Sequence, residues 1–165
     1  MTLKYSSTRI LHDDHMATIA LMAELERVVL SRQAAPAEKD AEVGRFIDRL
    51  CRTMKGEITG HFDYEEVSVF PRLAEYGMAD LGELLIEEHH VLRNVMNDTV
   101  AGADAARTGG FSPETWKTFR RLCGEFVERL TSHIEKEERS LLPAMEDSLT
   151  PEMDTELAAC HDLES

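Results

Sequence analysis

The sequence predicts an all-α protein, an up-down-up-down four-helix bundle followed by a short C-terminal helix. Apolar residues recur at spacings of three and four, which is the spacing of an amphipathic helix. Only nine glycines and five prolines interrupt the 165 residues, and 42% of the residues are apolar. The segments between the predicted helices are too short to run the length of a bundle, so consecutive helices should be antiparallel.

The first helix is predicted to begin after Ser6, Ser7 or Thr8, each of which could act as its N-cap, and to end near Gln33. Pro36, in an alanine-rich segment, then breaks the pattern. The predicted inward-facing residues of this first helix are Leu11, Ile19, Met22, Leu25 and Val29. The second helix is predicted from about Glu38 to the region of Pro71, with Gly77 ending its tail.

The third helix is predicted from about Asp80 to Ala106. Ser112 followed by Pro113 reads as an N-cap and first-turn proline for a fourth helix that reaches about Asp147. Thr150 and Pro151 repeat this signature for a short acidic helix over about 150–162. By length we expect residues 1–165 to form a single domain, with the bundle over about 8–147.

The charge of the chain excludes several classes of partner. With 32 acidic and 18 Lys and Arg residues, the formal net charge is −14, which repels nucleic acid and anionic membranes and attracts cations. No apolar run approaches the ~18–20 residues of a membrane span. The first residues lack the apolar core of an export signal, and the three cysteines form no CxxC pair. We therefore expect a cytoplasmic protein, without nucleic-acid or membrane partners.

An internal repeat is the most informative feature of the sequence. Residues 49–73 align without a gap to residues 121–145, and nine of the 25 positions are identical. Each copy contains the pattern H-x3-E-E-x4-P, beginning at His61 and at His133. A weaker echo, at an offset of 74, relates the acidic residues before His15 to those before His89. The chain therefore reads as two copies of a helix hairpin.

A histidine and a glutamate four residues apart lie about 6 Å apart along a helix and on the same face. In both copies this pair continues the apolar stripe, so the polar groups should point toward the bundle axis. The candidate metal ligands are His15, His61, Glu65, His89, His133 and Glu137.

Two ionised carboxylates in an apolar core need a cation, and these stripes contain no lysine or arginine. Four imidazoles and two carboxylates are too many ligands for one tetrahedral zinc ion and too few to fill two octahedral ions. Two iron or manganese ions bridged by the glutamates, with positions left vacant, fit the count. Mixed nitrogen and oxygen ligation suits Fe(II) and a small ligand such as dioxygen, nitric oxide or peroxide.

The paired H-x3-E-E-x4-P motifs, with the acidic-histidine segments that precede them, resemble the hemerythrin-like, HHE cation-binding proteins over about Thr8 to Asp147. This resemblance implies a hemerythrin-like four-helix bundle with a non-haem di-iron centre and an oxo or hydroxo bridge, and it favours iron over manganese or zinc. By position, Glu65 and Glu137 would bridge the irons. The terminal ligands would be His15, His61, His89 and His133.

Two departures from the oxygen-carrying hemerythrins are informative. Arg93 occupies the position of a further histidine, and Glu137 follows His133 by four residues where those proteins have an aspartate at five. The site thus resembles that of bacterial relatives with four histidines and two glutamates. This resemblance implies binding or sensing of dioxygen or nitric oxide, with a signal passed to a separate, unknown protein partner. The alternatives are a di-iron enzyme that acts on peroxide or repairs iron centres, and a purely structural polar core.

The residues around the predicted ligands leave several roles open. Glu66 and Glu138 could be surface residues or could support the ligands, and Asp14 and Glu88 could orient an imidazole or simply be solvated. His12 is expected on the surface, with a role as a substitute ligand as the alternative.

Four further side chains have expected positions outside the ligand set. Arg93 could contact a bound anion or form a salt bridge with Glu88 or nearby acids. Tyr64 is expected to pack in the core, with an approach to the site as the alternative. His90 is expected on the surface, and His161 is expected to have no role.

Overall fold

The computed structural model describes residues 3–37 and 40–164, with the side chains of 162–164 left out of the description. Helix α1 spans residues 6–30, as an α-helix over Ser6–Leu25 and a π-helix over Glu26–Leu30. Helix α2 spans residues 41–75, with α-helix at Ala41–Thr53, Thr59–Tyr64 and Phe70–Glu75 and π-helix at Met54–Ile58 and Glu65–Val69.

Helix α3 spans Ala79–Ala106. Helix α4 spans residues 113–148, as Pro113–Lys136, a π-helix over Glu137–Leu141, and Leu142–Ser148. Helix α5 spans Pro151–Glu164. The described residues contain no strand, so the prediction of an all-α bundle is confirmed. Within the described part of the chain, no helix combines the length and apolar character that crossing a membrane requires.

Most helix ends lie where local chemistry predicted them. Ser112 caps α4, and its side chain exchanges hydrogen bonds with Thr115 in a capping box. Gly77 has a φ of +79°, a conformation that glycine adopts without a steric cost, just after α2 ends. Asp40 caps the start of α2, and the predicted start at Glu38 lies outside the described residues.

The start of α1 differs from the sequence prediction. Tyr5 occupies the N-cap position and its side chain makes no capping hydrogen bond. The Asp154 carboxylate of α5 instead accepts hydrogen bonds from the backbone N–H groups of Ser6 and Ser7, at 3.0 and 2.7 Å. A cap supplied by a residue nearly 150 positions away leaves no local signal in the sequence, and it fixes α5 against the start of the bundle.

The apolar core falls into two clusters, one on each side of a polar layer. The larger cluster joins the later part of α1 to the first half of α2, and includes Phe126 and Trp116 of α4. The smaller cluster joins the opposite helix ends and includes Leu11 of α1 and Leu157 of α5. Ile19, predicted to face inward, is 40% exposed, because it lies about 60–80° around the helix from Met22 and Leu11, at the edge of the buried face.

Two π-helical turns occur at equivalent places in the repeat and begin at Glu65 and Glu137. In each turn the backbone carbonyl of the glutamate accepts a hydrogen bond from the residue five positions later, Phe70 or Leu142. Proline follows immediately in both copies, at residues 71 and 143, and it has no N–H to continue an α-helical ladder. The wider turn therefore carries the helix past the proline while holding the glutamate on the inner face.

The cap from α5 yields a test of how the short helix is attached. We expect Asp154→Ala to lower the free energy of unfolding by about 1–2 kcal/mol, because three donors at the start of α1 lose their acceptor. Chemical denaturation measures this loss. Asp147→Ala, at an exposed position near the end of α4, is the matched control. Equal effects of the two substitutions would contradict the assignment of Asp154 as a cap.

Candidate metal centre

The six predicted ligand residues converge in the polar layer between the two apolar clusters. Helices α1 and α3 each supply one histidine, and α2 and α4 each supply a histidine and a glutamate four residues later. Five of the six side chains are 0–2% exposed, and His61 is 10% exposed. The structure therefore brings together every residue that the sequence singled out as a candidate ligand.

These residues form two clusters that share both glutamates. The first contains His15 and His61 with Glu65 and Glu137, and the second contains His89 and His133 with the same two glutamates. In each cluster one potential ligand atom per residue lies within 4.8 Å of all the others. Each cluster therefore combines two imidazoles with two carboxylates, and the carboxylates are common to both clusters.

The histidine Nε2 atoms all face the glutamate oxygens. His15 Nε2 lies 3.1 Å from a Glu137 oxygen, and His133 Nε2 lies 2.9 Å from the other. The corresponding distances to Glu65 are longer, 3.5 Å from His61 Nε2 and 3.3 Å from His89 Nε2. Each glutamate thus faces one histidine of either cluster, as a bridging carboxylate requires.

The donor set fits divalent metal ions. All four carboxylate oxygens of Glu65 and Glu137 are buried and lack a hydrogen-bond donor. The buried polar residues of the described chain include no lysine or arginine that could neutralise them. Buried carboxylates without donors are costly unless a cation binds them, and four imidazole nitrogens point at the same place. Bound metal cations would satisfy both requirements.

Without metal, the two glutamates have opposite electrostatic environments. Burial raises the pKa of Glu65 well above its usual range, and the nearby Glu137 carboxylate raises it further. Burial also opposes ionisation of Glu137, but the close imidazoles of His133 and His15 outweigh it and hold its pKa low. The shorter contacts of Glu137 to its histidines explain why this carboxylate retains the charge.

The histidines also differ. Burial opposes protonation of His15, but contacts with Glu137 and Glu138 raise its pKa to about 9. Burial, reinforced by the neighbouring His133, lowers the pKa of His89 to about 4. A metal ion binds neutral imidazole, so binding at His15 must displace a proton near neutral pH.

A second layer of four carboxylates fixes the orientation of the imidazoles. The Nδ1 atom of each of the four candidate histidines faces one carboxylate on a neighbouring helix. These pairs are His15 with Glu138 at 2.7 Å, His61 with Asp14 at 3.1 Å, His89 with Glu66 at 2.8 Å and His133 with Glu88 at 2.9 Å. We call Asp14, Glu66, Glu88 and Glu138 the outer carboxylates. An ionised carboxylate can only accept, so Nδ1–H donates and the Nε2 lone pair faces the centre.

The outer carboxylates follow the repeat. Asp14 and Glu88 precede the histidines of α1 and α3, and Glu66 and Glu138 follow the glutamates of α2 and α4. The sequence is compatible with either a solvated or a supporting role for these residues, and the structure places all four beside an imidazole. The recurrence of these carboxylates in both halves of the chain is the sequence feature that could have predicted a supporting role.

Three side chains outside the motif contact this layer. His12 lies 3.1 Å from Glu138, and Arg93 pairs with Glu66 and Asp63 rather than with Glu88. His161 of α5, expected to have no role, lies 3.1 Å from Asp14 and thus beside the outer carboxylates. This contact joins residues 147 positions apart, which no local pattern could indicate.

Sequence reasoning missed Lys136, whose ammonium group pairs with Glu88. Tyr64 is fully buried and packs edge-to-face against His161, as part of the core that the sequence predicted for it. His90 is exposed, as predicted.

The two sides of the centre have different walls. On one side the ring of Phe62 stacks on His89 with centroids 4.0 Å apart, and the ring of Phe70 stacks on the same imidazole at 5.8 Å. On the other side a groove of about 420 Å³ lies between α1 and α2 and reaches His61. This groove explains why His61 is the most exposed of the six residues, and it connects the polar layer to the surface.

The fold and the paired His/Glu clusters define a metal-binding four-helix bundle. The chain matches the Hemerythrin HHE cation binding domain over residues 6–145, and a second, overlapping match covers residues 80–163. The chain therefore belongs to the hemerythrin HHE cation-binding family, as its sequence resemblance indicated. A comparison with curated proteins gives no significant match.

The contrast between the glutamates gives a prediction for the metal-free protein. The folded-state pKa of Glu65 lies above its unfolded value of about 4.3, so its contribution to stability should fall as pH rises above that value. We expect Glu65→Gln to remove this loss and to raise the free energy of unfolding near pH 7 by about 1–3 kcal/mol. Denaturation of chelator-treated protein between pH 5 and pH 8 measures both effects.

Glu137→Gln is the matched comparison for this experiment. It replaces the negative charge beside His15 and His133 with a neutral amide and should destabilise the metal-free protein, by about 3 kcal/mol. Equal destabilisation by both substitutions would show that the buried charge does not reside on Glu137.

Proposed function

We propose that the chain binds two iron ions between its helices. His15 and His61 would hold the first ion, at position A, and His89 and His133 would hold the second, at position B. Glu65 and Glu137 would bridge the two. The observation that carries this proposal is the pair of four-residue clusters that share both glutamates.

The chemistry of the donors supports iron. Each position offers two imidazole nitrogens and oxygens from two carboxylates, with no sulfur ligand. Mixed nitrogen and oxygen sites with incomplete coordination suit Fe(II), and the family to which the chain belongs binds cations. Manganese and zinc are the alternatives that metal analysis would reveal.

The proposed ligand is dioxygen or nitric oxide. Four protein donors at each position leave coordination sites open, and the groove beside His61 gives a small molecule a path to the centre. Iron, when bound, supplies the redox chemistry and the affinity for a diatomic gas. The protein orients the imidazoles through the outer carboxylates and screens position B with Phe62.

Turnover of peroxide is the second candidate. Asp14 lies between His61 and His161 beside the groove, so groups that can hold a proton are close to the path of an incoming ligand. A response to gas would need a separate protein partner. The three cysteines are free thiols, which supports a cytoplasmic location.

Metal content tests the ligand assignment. We expect about two iron ions per chain in the native protein, and loss of one or both in His61→Ala and in Glu137→Ala, because each substitution removes a donor. His90→Ala, at an exposed position beside a candidate ligand, should retain the full content. Equal iron content in all three variants would refute the assignment.

Rapid mixing separates the two candidate activities. Anaerobically reduced, iron-loaded protein is mixed with dioxygen, nitric oxide or peroxide while the absorption spectrum is followed. A gas-binding protein should give an absorbing species that disappears when the gas is removed. Sustained consumption of peroxide would favour the enzyme instead. No spectral change with any of the three would contradict both.

A further inference from the structure

Each outer carboxylate has a second partner, and these partners differ between the two sides of the centre. Beside position B, Arg93 pairs with Glu66 at 2.6 Å, and Lys136 pairs with Glu88. The corresponding partners beside position A are two imidazoles. His12 lies 3.1 Å from Glu138, and His161 lies 3.1 Å from Asp14.

These contacts give the two sides different fixed charges. Guanidinium and ammonium groups remain positively charged near neutral pH, so Arg93 and Lys136 offset the outer carboxylates of position B. The partners on the other side are imidazoles, which carry no fixed positive charge. Arg49 in the adjoining groove does not offset those carboxylates, because it pairs with Glu24.

The outer carboxylates act on a metal ion through the imidazole between them. A carboxylate that accepts the Nδ1–H proton increases the basicity of the Nε2 atom and so strengthens its bond to the metal. A cation paired with the same carboxylate withdraws part of that effect and also repels the metal ion directly. Arg93 and Lys136 are 23% and 31% exposed, so solvent screens this repulsion only in part at position B.

We propose that this outer layer makes the two cation positions unequal, with position A binding its ion more tightly than position B. The inference rests on the proposed function, since it requires two cations in the centre. The determinants are His12 and His161 on one side and Arg93 and Lys136 on the other. His12, Arg93 and His161 lie outside the repeated motif, and Lys136 occupies a variable position of its second copy, where the first copy has Tyr64.

Stepwise metal affinity tests the proposal without any measurement of activity. Chelator-treated full-length protein is titrated with Zn²⁺ against a competing chromophoric chelator at pH 8. Two binding steps are expected, separated by on the order of tenfold beyond the statistical factor. Arg93→Gln and Lys136→Gln, which keep a donor toward Glu66 and Glu88, should tighten the weaker step by on the order of tenfold and leave the tighter step unchanged.

Two further variants separate the effect of charge from the effect of hydrogen bonding beside position A. His161→Lys places a fixed positive charge beside Asp14 and should weaken the tighter step by on the order of tenfold. His161→Gln keeps a donor without the charge and should change it little. Arg139→Gln removes a positive charge from an exposed pair with Glu135 and should leave both steps unchanged.

The outcomes distinguish this inference from the proposed function. Two equal steps, or charge variants that shift both steps by the same factor, would overturn the inequality while leaving a two-ion centre intact. Failure of the native protein to bind either Zn²⁺ or Fe²⁺ would overturn the proposed function itself. Circular dichroism checks the fold of each variant, and His161→Lys still tests the inequality if the α3 or α4 variants misfold.

Discussion

The structure depends on the burial of two carboxylates at the centre of a four-helix bundle. Glu65 and Glu137 are 0–1% exposed, and their four oxygens have no hydrogen-bond donor. Charge in this environment destabilises the fold unless a cation compensates it. Four imidazoles directed at the same oxygens make the layer a site for cations rather than a hydrogen-bonded polar core. Metal binding and folding stability are therefore linked, because the folded chain holds the ligands together and the unfolded chain does not.

The repeat forms this polar layer with the same local structure in both copies. In both halves a proline follows the glutamate by six residues, and a π-helical turn begins at that glutamate. The wider turn keeps the helix continuous and the carboxylate directed inward, so the helices extend past the site on both sides. The core is consequently divided into two apolar clusters that hold the polar layer between them. The outer carboxylates follow the same twofold pattern, and they constrain each imidazole to present one nitrogen to the centre.

Much of this organisation was readable from the sequence, for physical reasons. Helical spacing predicted the bundle, and the motif beginning at His61 and His133 predicted which side chains would meet, because residues four apart share a face. Contacts between distant segments of the chain could not be predicted from the sequence. Asp154 caps α1 and His161 reaches Asp14, and both contacts depend on where α5 docks. The inward prediction for Ile19 was wrong because apolar character alone does not fix which side of a helix is buried.

X-ray absorption spectroscopy of the iron-loaded protein tests the central claim most directly. A centre built from the two clusters predicts nitrogen and oxygen ligands at about 2.0–2.2 Å and a metal neighbour at about 3.5–4 Å. Glu65→Ala, which removes one proposed bridge, should weaken or abolish the contribution of the metal neighbour. A spectrum from the native protein with sulfur ligands, or with no metal neighbour at full occupancy, would contradict a pair of ions bridged by the buried glutamates.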